Sequence, residues 1–251
     1  MHLAAWALYF QGRLVESVET SEEIIAIGEE GSDRQLITWG LFGLGAAQKR
    51  LGRIDDSIAS SRRSIEVAEE VPDYSTQAGA GSWLARCYLI KGELERALLV
   101  AETSQVILTA HKVWVNKPYV YEGVAETYLM AAENSTGKIR QDWLKKARQS
   151  CREALKSANI NRPSLPDALM FRGRYEWLRG KPGVARKWWQ KALAEAHRTG
   201  ERYIEGTVHL EAGRRLRNRE QLLQAESILK EIGAEYDLAA AREATANLRE
   251  K

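Results

Sequence analysis

The stretch that decides the fold is Ala85–Ala97, which reads ARCYLIKGELERA. A small residue opens it, a glycine follows seven positions later at Gly92, and a second small residue closes it. Apolar residues continue at helical spacing on both sides of Gly92, and glycine ends helices in the left-handed conformation without steric cost. The stretch therefore predicts two helices joined by a tight turn.

The same pattern recurs along the chain. Gly12, Gly52 and Gly92 are spaced 40 residues apart. The small residue seven positions before the turn recurs at intervals of 40 residues, with one interval of 48, at Ala5, Gly45, Ala85, Ala125, Gly173 and Gly213. We call these six the notch residues, because a small side chain in the middle of a first helix lets the second helix cross closely. A repeat of this length predicts a solenoid.

The predicted fold is all-α, a superhelix of about six helix-turn-helix hairpins in one domain spanning residues 1–251. No alternating apolar run bounded by a hairpin turn is present. The repeat predicts units at about 1–31, 32–72, 73–115, 116–160, 161–199 and 200–233, with a capping helix at 235–250. The eight extra residues are expected in a longer turn at Asn134–Arg140, as a tolerated insertion or a loop that gates the groove.

The repeat resembles the tetratricopeptide family over essentially the whole chain. The residues that carry the resemblance best are Ala85, Tyr88, Gly92 and Ala97, followed by Gly173, Gly180, Ala185 and Ala192. The period exceeds the usual 34 residues of that family. The tryptophan expected early in the first helix is replaced at Leu41, Gly81, Tyr121 and Leu169. The resemblance implies helical hairpins that bind a peptide or protein along the concave face.

The C-terminal stretch carries a second resemblance. Residues 222–239, rich in Leu, Ala and Glu, resemble the end of bacterial multidomain regulators, in which such arrays follow a nucleotide-binding switch, a kinase or a cyclase-linked ATPase. Met1 lies only four residues before the first notch, so the first helix lacks its opening turns. We therefore expect the chain to be part of a longer bacterial signalling protein.

Composition and motifs argue against several functional classes. The longest apolar runs are far shorter than the roughly 20 residues of a membrane span, and no signal-peptide pattern is present, which favours the cytoplasm. No phosphate-binding loop or His-Glu-x-x-His motif occurs. Cys87 and Cys151 lack metal-type spacing, although Arg148 and Arg152 could lower the pKa of Cys151. We therefore expect no enzyme activity, no cofactor and no metal.

The charge of the chain is unevenly distributed. The net charge is only +3, yet residues 1–130 carry 12 Lys and Arg against 18 Asp and Glu, whereas residues 131–251 carry 25 against 16. In a superhelix of hairpins the first helices line the concave face. Positions three before, one after and four after each notch project together into that groove. The groove is therefore predicted to have an aromatic end, an acidic centre and an arginine-rich end.

This register gives the candidate binding residues. They are aromatic and charged residues of the first helices, the types that dominate binding energy at interfaces: Trp6, Tyr9, Trp39, Phe42, Lys49, Ser82, Arg86, Tyr119, Glu122, Glu126, Met170, Arg174, Trp177, Arg214 and Arg217. The expected partner is a peptide or protein segment with an acidic portion and an apolar anchor, or a neighbouring domain of the same polypeptide.

Two other functions stay open at this stage. Basic and aromatic residues interleave over residues 172–191, a pattern that single-stranded nucleic-acid binders use for stacking and phosphate contacts. Nucleic acid or a small ligand could therefore bind the C-terminal half. Alternatively, the array is a structural scaffold that self-associates; the oligomeric state is not predicted.

Overall fold

The computed structural model describes residues 2–159 and 161–248 and is built from helices. Within that part of the chain there are thirteen α-helices, one short 3-10 turn at Arg162–Ser164 and no strand. The helices are α1 His2–Phe10, α2 Leu14–Glu30, α3 Arg34–Leu51, α4 Ile54–Glu70, α5 Tyr74–Ile90, α6 Leu94–Ala110, α7 Lys117–Glu133, α8 Gly137–Ser157, α9 Leu165–Leu178, α10 Pro182–Thr199, α11 Arg202–Leu216, α12 Arg219–Glu231 and α13 Glu235–Ala246.

Consecutive helices pack as antiparallel pairs. Each odd-numbered helix from α1 to α11 packs against the even-numbered helix that follows it, and also against the next odd-numbered helix. The odd-numbered helices therefore form the inner layer of an α-α superhelix, which confirms the predicted fold class. None of the helices within the described ranges is long and apolar enough to cross a membrane.

The turns follow the sequence signals. Gly12, Gly52 and Gly92 adopt φ of 77°, 83° and 75°, the left-handed conformation that only glycine takes without strain. At the other end of the hairpin, Asp73 caps α5 by accepting a hydrogen bond from the backbone N–H of Thr76 at 3.0 Å. Such a cap satisfies a backbone donor that the first helical turn leaves unpaired.

The notch residues lie where the paired helices approach most closely. The Ser57 hydroxyl on α4 donates to the carbonyl of Gly45 at 2.7 Å, and that of Ser17 on α2 donates to the carbonyl of Ala5 at 2.9 Å. Each pair is twelve residues apart, the spacing at which the sequence places a second small residue.

The eight extra residues of the fourth hairpin do not form the predicted loop at Asn134–Arg140. α8 already begins at Gly137, so the turn after α7 is short. The extra length lies mainly in α8, which has 21 residues against 17 in α4 and α6, and in the connection at residues 158–164. The small and polar residues at 134–137 suggested a loop, but three residues before a helix start are enough to reverse the chain.

The superhelix returns upon itself, so that its last helices contact its first. α13 packs against α3. The backbone N–H nitrogen of Tyr236 lies 2.9 Å from the position that a Cβ would occupy at Gly52, and the Ile232 side chain lies 3.1 Å from that position at Gly12. The capping helix predicted at 235–250 is therefore part of a seam between the two ends, although residues 249 and 250 lie outside the described part. The inner face is enclosed rather than open along one side.

Candidate functional site

The enclosed inner face contains a charged cavity of about 300 Å³. Inner-layer helices from α3 to α13 contribute its walls, so side chains far apart in sequence converge there. Five basic and five acidic residues line it: Lys49, Arg86, Arg174, Arg214, Arg215, Glu126, Glu133, Asp167, Glu211 and Asp237. The apolar part of the lining includes Leu89, Met130, Met170, Phe171 and Leu210.

Three of the arginines are held by carboxylates of neighbouring helices. Arg86 bonds Glu126 at 2.6 Å and lies 3.7 Å from Asp167. Arg174 pairs with Glu133 on the preceding inner helix, and Arg215 pairs with both Glu133 and Glu211. The arginines hold the pKa of Glu133 below its usual range although its partial burial opposes this. These charges are largely neutralised within the wall.

Lys49 and Arg214 differ from the other basic residues of the cavity. Within the described ranges, neither has a carboxylate oxygen within 4.0 Å. Lys49 is 7% exposed, and its ammonium group donates to the Tyr203 hydroxyl at 3.0 Å. Tyr203 in turn donates to Asp237 at 2.7 Å. Burial lowers the pKa of Lys49. Two basic side chains of the cavity thus remain without a carboxylate partner in the described part of the chain.

The seam between the two ends of the superhelix is built around Arg50. Its guanidinium group lies 3.6 Å from the ring centroid of Tyr9 and 4.5 Å from that of Tyr203. It donates to the Tyr9 carbonyl at 3.0 Å and to Glu201 at 3.5 Å. These contacts join α1 and α3 to α11 and so connect the two ends of the superhelix.

The seam predicts a pH dependence of stability. Burial raises the pKa of Glu201 to about 8, with Arg50 opposing and Asp167 adding to the rise. Because the folded-state pKa exceeds the unfolded value of about 4.3, this carboxyl stabilises the fold most below that value. The contribution is lost as the pH rises towards 8. We expect the melting temperature to fall over this interval.

The matched variant is Glu201→Gln, which keeps an oxygen acceptor for Arg50 and cannot ionise. The melting temperature of this variant should change less between pH 5 and 8 than that of the parent protein. Burial also raises the pKa of Glu122, so the melting temperature of the variant should still fall somewhat as the pH rises. A slope unchanged by the substitution contradicts this role for Glu201.

A second depression, the aromatic cleft, lies at the opposite end of the inner layer and has a volume of about 590 Å³. Trp6, Trp39, Phe42 and Tyr119 line it, together with the carboxylate of Asp73. The rings of Trp6 and Tyr119 stack with centroids 5.7 Å apart, and Trp6 lies 5.1 Å from Phe42. The cleft and the charged cavity share no lining residue.

Trp83 separates the two depressions. Its ring is 2% exposed and lies 5.5 Å from the Tyr119 ring on the cleft side. The guanidinium group of Arg86, which lines the charged cavity, lies 5.5 Å from the centroid of the Trp83 ring. The described part of the inner face therefore carries two separate depressions rather than one continuous groove.

The structure distributes the predicted binding residues over these features. Lys49, Arg86, Glu126, Met170, Arg174 and Arg214 line the charged cavity, and Trp6, Trp39, Phe42 and Tyr119 line the aromatic cleft. Trp177 borders a shallow depression beside Arg214 and Arg215. Tyr9, Ser82 and Glu122 are buried between helices, and Arg217 is the exposed residue that ends α11. Their role in binding stays a prediction.

Several lining residues are absent from the predicted set. Tyr203, Tyr236 and Asp237 reach the cavity because the superhelix returns to its start, which no local pattern indicates. Asp73 lines the cleft from the turn between α4 and α5. Its N-cap position is visible in the sequence, but its proximity to Trp39 is not.

The cysteines are buried rather than reactive. Burial raises the pKa of Cys151 to about 12 and outweighs the lowering by Arg172 and Arg174, so the expected net lowering by Arg148 and Arg152 is wrong. Cys87 is also buried, with its Sγ atom 3.2 Å from the Ser57 hydroxyl. Within residues 2–159 and 161–248, no group of three or more His, Cys, Asp or Glu residues could hold a metal ion.

The basic and aromatic stretch at residues 172–191 does not form one exposed strip. Trp189 is fully buried, and Trp177 packs 6.0 Å from it. Trp188 lies between the cationic groups of Arg172 and Lys191 at 5.6 and 5.0 Å. The tryptophan rings of residues 172–191 therefore make contacts within the fold.

Comparison with known proteins supports the fold. No protein-family model matches the sequence, and no curated protein sequence matches it either. Among solved structures, a Rap protein complexed with competence and sporulation factor is similar with a TM-score of 0.61 and 12% identity over 98% of this chain. BtubC (BKLC) from P. vanneervenii is similar with a TM-score of 0.54 and 13% identity, over 94% of this chain and 90% of its own.

These similarities apply to the fold. The chain spans 62% of the length of the Rap protein, and both identities are low. Helical pairs in succession, the notch contacts and the Rap likeness agree. The chain has a tetratricopeptide-like helical-repeat fold. The likeness to nucleotide-binding or kinase-linked regulators stays a prediction.

Proposed function

We propose that this protein is a non-catalytic binding module whose charged cavity takes a carboxylate of a peptide or protein segment. The observation that carries the proposal is the pair Lys49 and Arg214. They lack carboxylate partners within the described chain, whereas the other arginines of the cavity are ion-paired. A ligand carboxylate in the charged cavity would supply the partner that Lys49 and Arg214 lack.

The surroundings of the two cations favour such a ligand. Charge-assisted hydrogen bonds are roughly twice as strong as neutral ones, and partial enclosure strengthens them further. Leu89, Met130 and Leu210 supply apolar contact beside the charges. An acidic residue or a free C-terminus next to an apolar residue therefore matches the cavity better than a wholly polar segment.

The wider role is part of the same proposal. The Rap structure is that of a complex with competence and sporulation factor, which supports binding by a fold of this kind. We place the module in a bacterial, cytoplasmic signalling protein, as its sensor or scaffold part, with one repeat domain over the whole chain. The partner is a peptide, another protein or a neighbouring domain of the same polypeptide.

The test uses short random peptides with a free C-terminal carboxylate, and the same peptides with an amidated C-terminus or with Asp and Glu replaced by their amides. We expect retention of the acidic peptides by the protein. Arg214→Glu should weaken this binding at least about 10-fold, since it replaces an attraction worth about 1.5–3 kcal/mol with a repulsion. Arg214 is exposed, so the fold tolerates the change.

Arg217→Glu is the matched control. It carries the same charge change three residues away but lies outside the cavity, and it should bind like the parent protein. Lys49→Met should weaken binding without unfolding, because it replaces a buried cation with a side chain of similar length. Equal losses in the Arg214 and Arg217 variants, or equal binding of amidated peptides, contradict the proposal. Arg174→Glu is unsuitable because Arg174 is buried and paired with Glu133.

A further inference from the structure

The aromatic cleft contains an ionised carboxylate that has no basic partner among the described residues. Asp73 accepts hydrogen bonds from Gln35 at 2.6 Å, from the Trp39 indole at 3.0 Å and from the Thr76 hydroxyl at 2.6 Å. These bonds hold its pKa below its usual range although burial opposes them. In the described chain, no Lys, Arg or His nitrogen lies within 4.0 Å of this carboxylate.

The histidine of the cleft does not neutralise this charge at neutral pH. His2 stacks on Trp39 with ring centroids 5.2 Å apart, and burial lowers its pKa below 6.5. Asp73 therefore stands as a full negative charge at the edge of the Trp39 ring, in a cleft that Trp6, Phe42 and Tyr119 also line with aromatic surface. This combination attracts cations.

The hydrogen-bonding capacity of the cleft is incomplete. Of the two Asp73 oxygens, Oδ2 accepts the three side-chain donors, whereas Oδ1 accepts only the backbone N–H of Thr76. The Asp73 Oδ1 atom therefore keeps the capacity to accept a hydrogen bond from a ligand.

The rim of the cleft is apolar and exposed. Leu3 is 82% exposed, Trp114 63%, Val115 51% and Trp39 37%. Leu3, Val115 and Trp39 line the cleft, and Trp114 adjoins Val115 in the chain. Exposed apolar groups that cluster in this way mark interaction sites. This apolar rim suits a ligand that carries apolar residues on either side of a cationic group.

We propose that the aromatic cleft binds an arginine side chain of a peptide partner, flanked by apolar residues, at a site separate from the charged cavity. The planar guanidinium group stacks on aromatic rings and donates to a carboxylate, and it keeps its charge when desolvated. The acidic balance of residues 1–130, which supply the cleft lining apart from Asn161, attracts such a segment over longer distances. The two sites thus prefer ligands of opposite charge.

The test measures binding of a fluorescently labelled peptide with one arginine between leucines. The comparison peptides carry citrulline, norleucine or phenylalanine instead of arginine. We expect the arginine peptide to bind at least about 10-fold more tightly than the other three. Asp73→Asn should remove that preference and leave the weak binding of the norleucine peptide unchanged, because asparagine still caps α5.

Asp33→Asn is the matched control. Asp33 caps α3 in the same way, accepting from the Leu36 N–H at 3.0 Å, but lies outside the cleft. Its variant should bind the arginine peptide like the parent protein. Tighter binding of the phenylalanine or norleucine peptide shows that the cleft takes an apolar anchor instead, and an unchanged arginine preference in Asp73→Asn also overturns the proposal. Neither result depends on Arg214, so failure here is distinguishable from failure of the charged cavity.

Discussion

Gly173→Ala should destabilise the protein by about 3 kcal/mol, which lowers the melting temperature by roughly 6–12 °C for a chain of this size. Gly173 is the notch of the fifth hairpin. A Cβ there would lie 2.4 Å from Nε1 of Trp189 and 2.5 Å from its Cδ1. Trp189 is fully buried and donates to the Met170 carbonyl at 3.3 Å, so its ring cannot move aside without losing that bond and its packing.

The control is Gly183→Ala on the partner helix α10. Nothing lies within 4 Å of a Cβ built at Gly183, and its φ is not in the left-handed region. The same chemical change should therefore leave the melting temperature within a few degrees of the parent value or raise it slightly. The difference between the melting temperatures of the two variants measures the cost of adding a methyl group at the notch. Equal effects contradict the role of Gly173.

The notches and turns could be predicted from the sequence because the contacts that need them are local. Gly45 contacts Ser57 twelve residues later, within one hairpin, and the same spacing of small residues recurs at Ala97, Ala185 and Ala225. Only glycine suits the turn at Gly52, with its φ of 83°. The repeat thus specifies each hairpin.

The charges of the inner layer could be predicted only in part. Arg86 and Glu126 are 40 residues apart and belong to the same stripe of the repeat. The sequence places both on the concave face, but it does not show that they pair and become buried. Pairing depends on the small distance between neighbouring inner helices, which the packing determines.

The closure of the superhelix could not be predicted at all. Lys49 contacts Tyr203, and Arg50 contacts Glu201, across more than 150 residues. Such contacts depend on the rotation that accumulates over six hairpins, and small differences in each hairpin change the sum. The register of one helix therefore predicts which side chains face inward, but not whether they meet the far end of the array.

Arg50→Ala should destabilise the protein by about 3–5 kcal/mol, the range for removing one partner of a buried charged pair. The guanidinium group packs between the Tyr9 and Tyr203 rings and satisfies the Tyr9 carbonyl and Glu201. Alanine leaves a hole, an unpaired buried carbonyl and a carboxyl without its cation. Because these contacts join the two ends, the variant should also open the seam.

Two measurements separate loss of the seam from general unfolding. Hydrogen exchange of the folded variant should increase first in α1 and at the start of α11, while the middle hairpins keep their protection. Chemical denaturation gives the free energy of unfolding. Arg13→Ala, which removes an exposed pair with Glu16, should leave the free energy of unfolding close to that of the parent protein.

A double mutant tests whether the charge or the space is decisive. Arg50→Met with Glu201→Gln removes both charges and keeps most of the volume, and buried ion pairs replaced in this way often cost little. We expect the double variant to be more stable than Arg50→Ala by at least about 2 kcal/mol, since it leaves no unpaired charge and a smaller hole. If it is as unstable as Arg50→Ala, then the stacking of the guanidinium group between Tyr9 and Tyr203, rather than its charge pairing, holds the two ends together.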